Sequence, residues 1–133
     1  MTLKLADFGL TQKFKGEGAS ALKDRVGTGT YMAPEMTGDQ EYEGPPVDTF
    51  SLGVILYVMI TNRFPFLKAL DTHHRNLFKD PYSHVSKSKK PVSNDALACL
   101  LAMLNPKPEK RPSIADLRNS AWMQGPKASV HEI

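Results

Sequence analysis

Apolar residues occupy nearly every position from Val47 to Ile60. A helix that is apolar on all sides is typical of a core element surrounded by protein. Two prolines precede this stretch, and Asn62 with Pro65 supplies a stop signal after it. The pattern predicts a central buried helix over residues 47–60. Its apolar run is shorter than the roughly 20 residues that a membrane span needs, so no membrane partner is expected.

Two more helices are predicted in the last third of the chain. Ser93 is a cap before leucines that recur at the spacing of one helix face: Leu97, Leu100, Leu101 and Leu104. Ser113 and Asp116 have the spacing of a capping box, and the last helix closes near Trp122. Residues 3–6 alternate between apolar and other side chains, which predicts a short strand, and residues 10–26 form a long loop. The fold class predicted is mainly α.

Composition narrows the class of protein. The chain has 133 residues, of which 41% are hydrophobic and 23% charged, as in one globular domain. The net charge is +3, and the densest basic run, at 87–90, lacks interleaved aromatic residues. That run is therefore predicted to be a solvated loop, and no nucleic-acid partner is expected. The single cysteine, Cys99, lies among leucines and is predicted to be a core residue. A single cysteine can form no disulfide within the chain, and no signal peptide is visible. Together these features predict a reducing compartment, cytoplasmic or nuclear.

Several short motifs follow one another along the chain. Asp7-Phe8-Gly9 comes directly after the predicted strand, but a tripeptide alone occurs by chance in about a few per cent of chains this long. The spacing of the others is more specific. They are Gly27-Thr28-Gly29-Thr30-Tyr31-Met32-Ala33-Pro34-Glu35, Asp48-Thr49-Phe50-Ser51-Leu52-Gly53-Val54, Arg111-Pro112-Ser113 and Ala121-Trp122.

In this order the motifs resemble the eukaryotic protein kinase family, of serine/threonine type, from its Asp-Phe-Gly motif to its final helix. Two positions depart from the family pattern, with Phe50 in place of Trp and Ala121 in place of Pro. The resemblance implies a partial kinase fold over residues 1–124, a helical C-terminal lobe with its activation segment, followed by a tail at 125–133. The 133 residues contain no Gly-x-Gly-x-x-Gly loop, no Val-Ala-Ile-Lys strand and no His-Arg-Asp catalytic loop.

The resemblance assigns cofactor roles to the first motif. Asp7 would chelate the magnesium ion that bridges the phosphates of ATP in the intact kinase. Phe8 would pack as a switch between active and inactive geometry, and Gly9 would permit the turn. The alternative is that Asp7 and Gly9 simply make a polar turn.

The same resemblance assigns roles around the activation segment. Thr28 would shape the substrate pocket, and Glu35 would form a buried pair with Arg111. Asp48 would hold backbone amides of a catalytic loop, or is a plain acidic residue favoured by the helix dipole. Asp24 stands where related kinases carry a phosphorylated residue, and Ser20 and Thr30 are other candidate phosphosites.

Two other stretches contain residue types that bind metals or proteins. His73-His74 has no further ligand at metal spacing, so it is interpreted as a solvated loop or helix end. Asp80-Pro81-Tyr82 lies in a region where kinases bind substrates and regulators, and it is a candidate contact for a regulatory protein.

Three functions compete. The first is a protein serine/threonine kinase that transfers the phosphoryl group of ATP to a protein substrate, present here as its C-terminal lobe, inactive alone, with Met1 not the true start. The second is a truncated kinase-like binding module, a pseudokinase or decoy for substrates or regulators. The third, an unrelated helical interaction domain, requires every motif to be accidental.

Overall fold

The computed structural model describes residues 4–13, 22–86, 88 and 91–126. Helices make up the regular structure in these ranges, and no named β-strand occurs there. In chain order they are α1 (Gly44–Thr61), α2 (Thr72–Lys79), α3 (Pro81–Val85), α4 (Asn94–Met103), α5 (Ile114–Asn119) and α6 (Ala121–Gln124). Short 3-10 helices at Pro34–Thr37 and Pro108–Lys110 precede α1 and α5. The prediction of a mainly α fold is confirmed for the described residues.

Helix α1 runs through the centre of the fold. It begins at Gly44, earlier than the predicted Val47, because it takes both prolines into its first turn. Prolines are tolerated there since the first N–H groups of a helix have no intrahelical acceptor. The helix ends at Thr61, where Asn62 adopts a left-handed φ of 56° and donates its N–H to the carbonyl of Val58. The stop predicted at Asn62 is confirmed.

Helix α4 crosses α1 at a glycine. A Cβ built on Gly53 would lie 2.9 Å from Cβ of Met103 and 3.1 Å from Cδ2 of Leu104. The close approach of the two helices therefore depends on the missing side chain. The fully buried side chains of the surrounding core are Phe50, Val54, Leu77, Leu100 and Leu104.

The strand predicted at residues 3–6 is not formed by its described part. Residues 4–6 carry no regular structure, and Leu5 is 87% exposed. Residue 3 lies outside the described residues. A strand needs a neighbour to accept and donate its backbone hydrogen bonds, and no described segment pairs with residues 4–6. The alternating pattern was therefore insufficient.

Helices α2 and α3 lie where the sequence analysis assigned none. Asp71 caps α2 by accepting from the N–H of His74, and Asp80 caps α3 by accepting from the N–H of Ser83. The helices have 8 and 5 residues, too few to show a clear period. These two helices form because of their caps and their packing against the rest of the fold.

The caps predicted in the last third are confirmed. Ser93 accepts from the N–H of Ala96 at the start of α4, and Ser113 with Asp116 forms the capping box of α5. Cys99 is buried and free, as predicted for a core residue. Gly125 and Pro126 follow α6 without regular structure. The rest of the predicted tail, 127–133, and the lysines at 87, 89 and 90 lie outside the described residues.

Helix α1 also satisfies a simple membrane criterion. It is the helix of the described ranges whose 18 residues, with a mean hydropathy of 1.3, are long and apolar enough to cross a bilayer. Of that stretch, 39% is buried inside the fold. Length and composition describe a core helix equally well, so the expected absence of a membrane partner stays a prediction.

Candidate functional site

A cleft of about 440 Å³ opens beside the N-terminal half of α1. Its walls come from residues 7–13, residues 22–32, Met36, the turn before α1 and α1 itself. Three residues to which the resemblance assigned separate roles, Asp7, Thr28 and Asp48, all line this cleft. The fold therefore gathers chain segments that are far apart in sequence around one concave surface.

Asp7 presents its carboxylate from a tight turn. Its φ of 63° lies in the left-handed region, which aspartate tolerates better than most residues. The turn is closed by the N–H of Thr11, which donates to the carbonyl of Phe8 at 3.1 Å. A Cβ on Gly9 would lie 3.4 Å from Oδ1 of Asp7, so the glycine leaves space for that carboxylate.

Phe8 comes directly after Asp7 in the chain. The resemblance predicts a packed ring, but 67% of this residue is exposed. The packing was implied for the intact kinase and stays a prediction, and in the described part of the chain the ring is largely open to solvent.

Thr28 is held over the cleft by its loop. Gly27 has a φ of 108°, which only glycine adopts without strain, and the N–H of Tyr31 donates to the carbonyl of Thr28 at 2.9 Å. The hydroxyl of Ser51 donates to the carbonyl of Tyr31 at 3.0 Å and ties the loop to α1. Thr30, a candidate phosphosite, is half-buried in the same loop.

The predicted pair of Glu35 and Arg111 is present. The two terminal nitrogens of Arg111 donate to Oε1 and Oε2 of Glu35 at 2.6 and 2.7 Å, a bidentate geometry. The Arg111 side chain is 0% exposed and that of Glu35 15%. Arg111 also donates to the carbonyls of Asn105 and Pro46 at 2.8 and 2.9 Å. The end of the predicted activation segment is thereby anchored to the helical body.

Asp48 lies in the second turn of α1, because the helix begins at Gly44 and has no acidic residue in its first turn, so the predicted first-turn position is wrong. The residue is exposed at its edge, yet surrounding protein in the cleft raises the pKa of its carboxyl above the usual range by desolvation. No described residue donates a hydrogen bond to that carboxyl. The role of Asp48 as a holder of loop amides stays a prediction, whereas the helix-dipole interpretation loses its basis because that effect is confined to the first turn.

Asp24 is tied to its neighbours without a cation. Its Oδ2 accepts from Nε2 of Gln12 at 3.0 Å, and its carbonyl accepts from the hydroxyl of Tyr42. No ion pair to Asp24 occurs among the described residues. Its proposed likeness to a phosphorylated residue stays a prediction, and Ser20 lies outside the described residues.

The described residues do not complete a magnesium and ATP site. Magnesium takes six oxygen ligands and is held in proteins by one or two carboxylates together with phosphates and waters. Within the described ranges no cluster of three metal-binding side chains exists, and from the predicted cofactor set only Asp7 supplies a carboxylate to the cleft. No reaction step follows from this donor set by itself.

His73 and His74 lie in the first turn of α2, which agrees with the predicted helix end, but His74 is 1% exposed and therefore not solvated. Its Nδ1 accepts from the N–H of Leu70 at 2.9 Å, so its Nε2 is the nitrogen that donates to the carbonyl of Leu104 at 2.9 Å. The signal was present, because His74, Leu77 and Phe78 have the spacing of one helix face.

Burial determines the charge state of His74. Desolvation lowers the pKa of its ring, with a smaller contribution from Arg111, while the hydrogen bond to Leu104 and the charge of Asp71 oppose the change. The ring packs among Phe50, Phe66 and Phe78, with its centroid 4.6 Å from that of Phe66. His74 is therefore a neutral structural residue.

The candidate contact for a regulatory protein lies on α3 and its cap. Tyr82 is 59% exposed, and its hydroxyl donates to Oδ1 of Asn94 at 3.1 Å. Asp80 is occupied by capping α3. The exposed ring is accessible, but nothing in the geometry selects a partner.

Comparisons with known proteins agree with the motifs. The family model for the protein kinase domain matches residues 1–123. The chain is 35% identical to the SNF-related serine/threonine-protein kinase of Homo sapiens over 127 residues, which cover 92% of this chain and 15% of that protein. It is 34% identical to CBL-interacting protein kinase 8 of Oryza sativa subsp. japonica, covering 92% of this chain and 26% of the relative.

A third relative, the serine/threonine-protein kinase chk-1 of Caenorhabditis elegans, is 32% identical over 126 residues, with 92% of this chain and 25% of the relative covered. The chain thus spans between 15% and 26% of the length of these three curated relatives.

Proposed function

The chain belongs to the protein kinase family, and on that premise we propose that it is the helical C-terminal lobe of a protein serine/threonine kinase. The complete protein would transfer the γ-phosphoryl group of ATP to serine or threonine of a protein substrate, the reaction of this family. The curated relatives, all named as protein kinases, support this assignment. The chain by itself is proposed to be inactive.

One observation carries the proposal. Asp7, Thr28 and Asp48 line a single cleft although they come from three separate motifs. Chance matches to three motifs give no reason for the fold to bring them together. A phosphoryl-transfer site, in contrast, requires groups for the metal, the substrate and the catalytic loop around one reacting atom.

In the complete kinase we assign to Asp7 one oxygen ligand of a magnesium ion, which would offset charge on the phosphates when bound. Thr28 would border the hydroxyl-bearing residue of the substrate, and Asp48 would accept hydrogen bonds from backbone N–H groups across the cleft. The raised pKa of Asp48 supports this role, because desolvation without a donor is relieved when amides are supplied. The other ligands and the catalytic base belong to motifs that these 133 residues do not contain.

The test uses two proteins, this chain and a longer gene product that contains it together with a His-Arg-Asp motif. We expect phosphotransfer to casein with magnesium and ATP from the longer protein only. Asp7→Ala in the longer protein should reduce the rate by at least about 100-fold, since a metal ligand is lost. The control Asp95→Ala removes an exposed aspartate that does not line the cleft and should leave the rate unchanged. Transfer by this chain alone, or an unchanged rate with Asp7→Ala, would contradict the proposal.

A second candidate function is a kinase-like binding module. A transcript that starts at Met1 after an in-frame stop codon would support it, whereas coding sequence upstream with His-Arg-Asp-x-x-x-x-Asn would support the enzyme. In both cases we propose a reducing compartment, cytoplasmic or nuclear, which the free buried Cys99 supports.

A further inference from the structure

The segment before Gly27 is paired with the loop that leads into α1. Leu22 and Tyr42 exchange both backbone hydrogen bonds, from the N–H of Leu22 to the carbonyl of Tyr42 at 2.9 Å and back at 3.0 Å. This is the hydrogen-bonded pair of an antiparallel ladder. Both residues also line the cleft, so the pairing forms part of its wall.

Two ion pairs follow this isolated bridge in the same register. In an antiparallel pairing one residue number rises as its partner falls, so residue 23 faces 41 and residue 25 faces 39 once 22 faces 42. Lys23 Nζ lies 2.9 Å from Oε1 of Glu41, and Arg25 Nη2 lies 2.6 Å from Oδ1 of Asp39. Lys23 and Arg25 lie two positions apart, and their ion pairs join residues 22–25 to residues 38–42 at two points.

Two other contacts tie the ladder to its surroundings. Arg25 Nε donates to the carbonyl of Gly38 at 3.2 Å, which adds a side-chain contact between the two segments. Asp24 accepts from Nε2 of Gln12 at 3.0 Å, so residues 12 and 24 are linked.

We propose that residues 22–25 and 38–42 form a charge-dependent strap that holds the activation segment over the cleft without an added phosphate. That the cleft is a phosphoryl-transfer site rests on the proposed function. The strap itself rests on geometry alone. Opening the strap moves Leu22 and Tyr42 out of the cleft wall and thereby changes the site.

The strap and the anchor differ in their response to salt. The side chains of Arg25 and Asp39 are 51% and 100% exposed, and those of Lys23 and Glu41 are 68% and 53% exposed. Exposed ion pairs are weak and are screened by salt. The pair of Glu35 and Arg111 is nearly enclosed and is screened much less. Salt should therefore open the strap while the end of the segment stays anchored.

The experiment measures amide hydrogen exchange of this chain by NMR, at the N–H groups of Leu22 and Tyr42. Raising the salt from about 0.01 M to about 1 M shortens the Debye length from roughly 30 Å to roughly 3 Å. We expect exchange at both amides to accelerate roughly three- to tenfold, the scale of two exposed ion pairs. The N–H of Leu104, which donates to the carbonyl of Leu100 in α4, reports global unfolding and should not change in parallel.

Charge variants give the second arm. Arg25→Glu should accelerate exchange at Leu22 and Tyr42 at low salt, and Arg25→Glu with Asp39→Arg should restore much of the protection. Arg75→Glu makes the same charge change on an exposed face of α2 and should leave both amides unchanged. The proposal of a strap would be overturned if the exchange rates of the two amides changed neither with salt nor with Arg25→Glu. It would also be overturned if Arg75→Glu changed them equally. No ATP or substrate is used, so a kinase assay that fails would leave this result standing, and the reverse also holds.

Discussion

Arg111 shows how one side chain connects the cleft segment to the helical body. Burying an arginine is unfavourable unless its charge and its donors are satisfied. Here its guanidinium binds both carboxylate oxygens of Glu35, donates to backbone carbonyls and lies 4.8 Å over the ring of Phe50. Phe50, where the sequence departs from the family pattern, thus contacts the arginine. No buried side-chain nitrogen or oxygen of the described residues lacks a partner.

Arg111→Ala should destabilise the fold by about 3–5 kcal/mol, because Glu35 would keep a largely buried charge without its partner. We expect faster proteolysis between Asp7 and Glu35 and a lower midpoint of urea unfolding. Lys110→Ala, a change at the exposed neighbouring position, is the control and should leave both measurements close to those of the wild type. Equal cleavage rates in the two variants would refute the anchoring role.

His74 couples the fold to pH. A protonated ring carries N–H groups on both nitrogens, so it cannot accept from the N–H of Leu70. Leu70 has a left-handed φ of 63°, a conformation that leucine rarely adopts. The charged groups that influence the ring are Asp71, which favours its protonation, and Arg111, which opposes it.

Because the folded pKa of His74 is lowered from 6.5, the unfolded chain binds more protons as the pH falls. The stabilisation is complete above pH 6.5 and is lost as the pH falls toward the folded pKa. The slope is at most about 1.4 kcal/mol per pH unit for one proton. Urea unfolding at a series of pH values measures it. His74→Phe should flatten the profile, whereas His73→Gln, at an exposed side chain, should preserve it. A wild-type profile that is flat below pH 6.5 would contradict this account.

A second acid-sensitive contact lies nearby at a lower pH. Burial alone would raise the pKa of Asp71, but hydrogen bonds from the backbone N–H groups of His74, Leu67 and Lys68 lower it overall. The contribution of Asp71 to stability is therefore fully present above pH 3.8, its ordinary pKa, and is lost as the pH falls through the lower folded pKa.

At the scale of elements, the crossing of α1 and α4 determines how tightly the core closes. Gly53 permits the approach, and the neighbouring turns of α1 bury Phe50, Val54 and Tyr57. Glycine in a helix costs about 1 kcal/mol relative to alanine, so its presence here indicates a packing requirement that exceeds that cost.

Gly53→Ala should destabilise the protein by about 1–3 kcal/mol, since the new methyl group would overlap Cβ of Met103 and the helices would have to separate. The gain in helix propensity is smaller than this. Differential scanning calorimetry should show a lower melting temperature. Gly29→Ala, where a Cβ meets nothing within 4 Å, is the matched control. A Gly53→Ala variant as stable as the control would show that the crossing is not rigid.

At the scale of the whole molecule, one face of α1 is apolar and open. Leu52, Ile55 and Met59 are 44%, 44% and 78% exposed and lie at helical spacing, in line with Asp48 toward the cleft. Exposed apolar surface of this kind promotes aggregation in an isolated chain. These side chains point away from the buried face of α1, so replacing them leaves the packing of α1 against the core unchanged.

Ile55→Lys with Met59→Lys should lower concentration-dependent aggregation, measured by light scattering, and should leave the melting temperature within about 4 °C of the wild type. Asn76→Lys with Asn119→Lys adds the same charge at exposed positions outside this face and controls for charge alone. If both double variants reduce scattering equally, charge and not the apolar face is responsible.

Much of the helical framework was predictable because it depends on near neighbours. The stop at Asn62, the cap at Ser93 and the box of Ser113 with Asp116 each involve atoms within a few residues. Helix α2 was missed although its cap, Asp71, is equally local. Its short length and its buried histidine gave a pattern that was interpreted as solvated.

The sequence alone determined the central helix, its stop, the later caps and the order of the kinase motifs, because backbone hydrogen bonding at helix ends and hydrophobic periodicity are local properties. The tertiary structure alone decided the exposure of Phe8, the absence of a strand at residues 4–6, the burial of His74 and the register that sets Arg25 against Asp39. Each of these depends on whether a partner distant in sequence lies close in space, and local pattern carries no information about that distance.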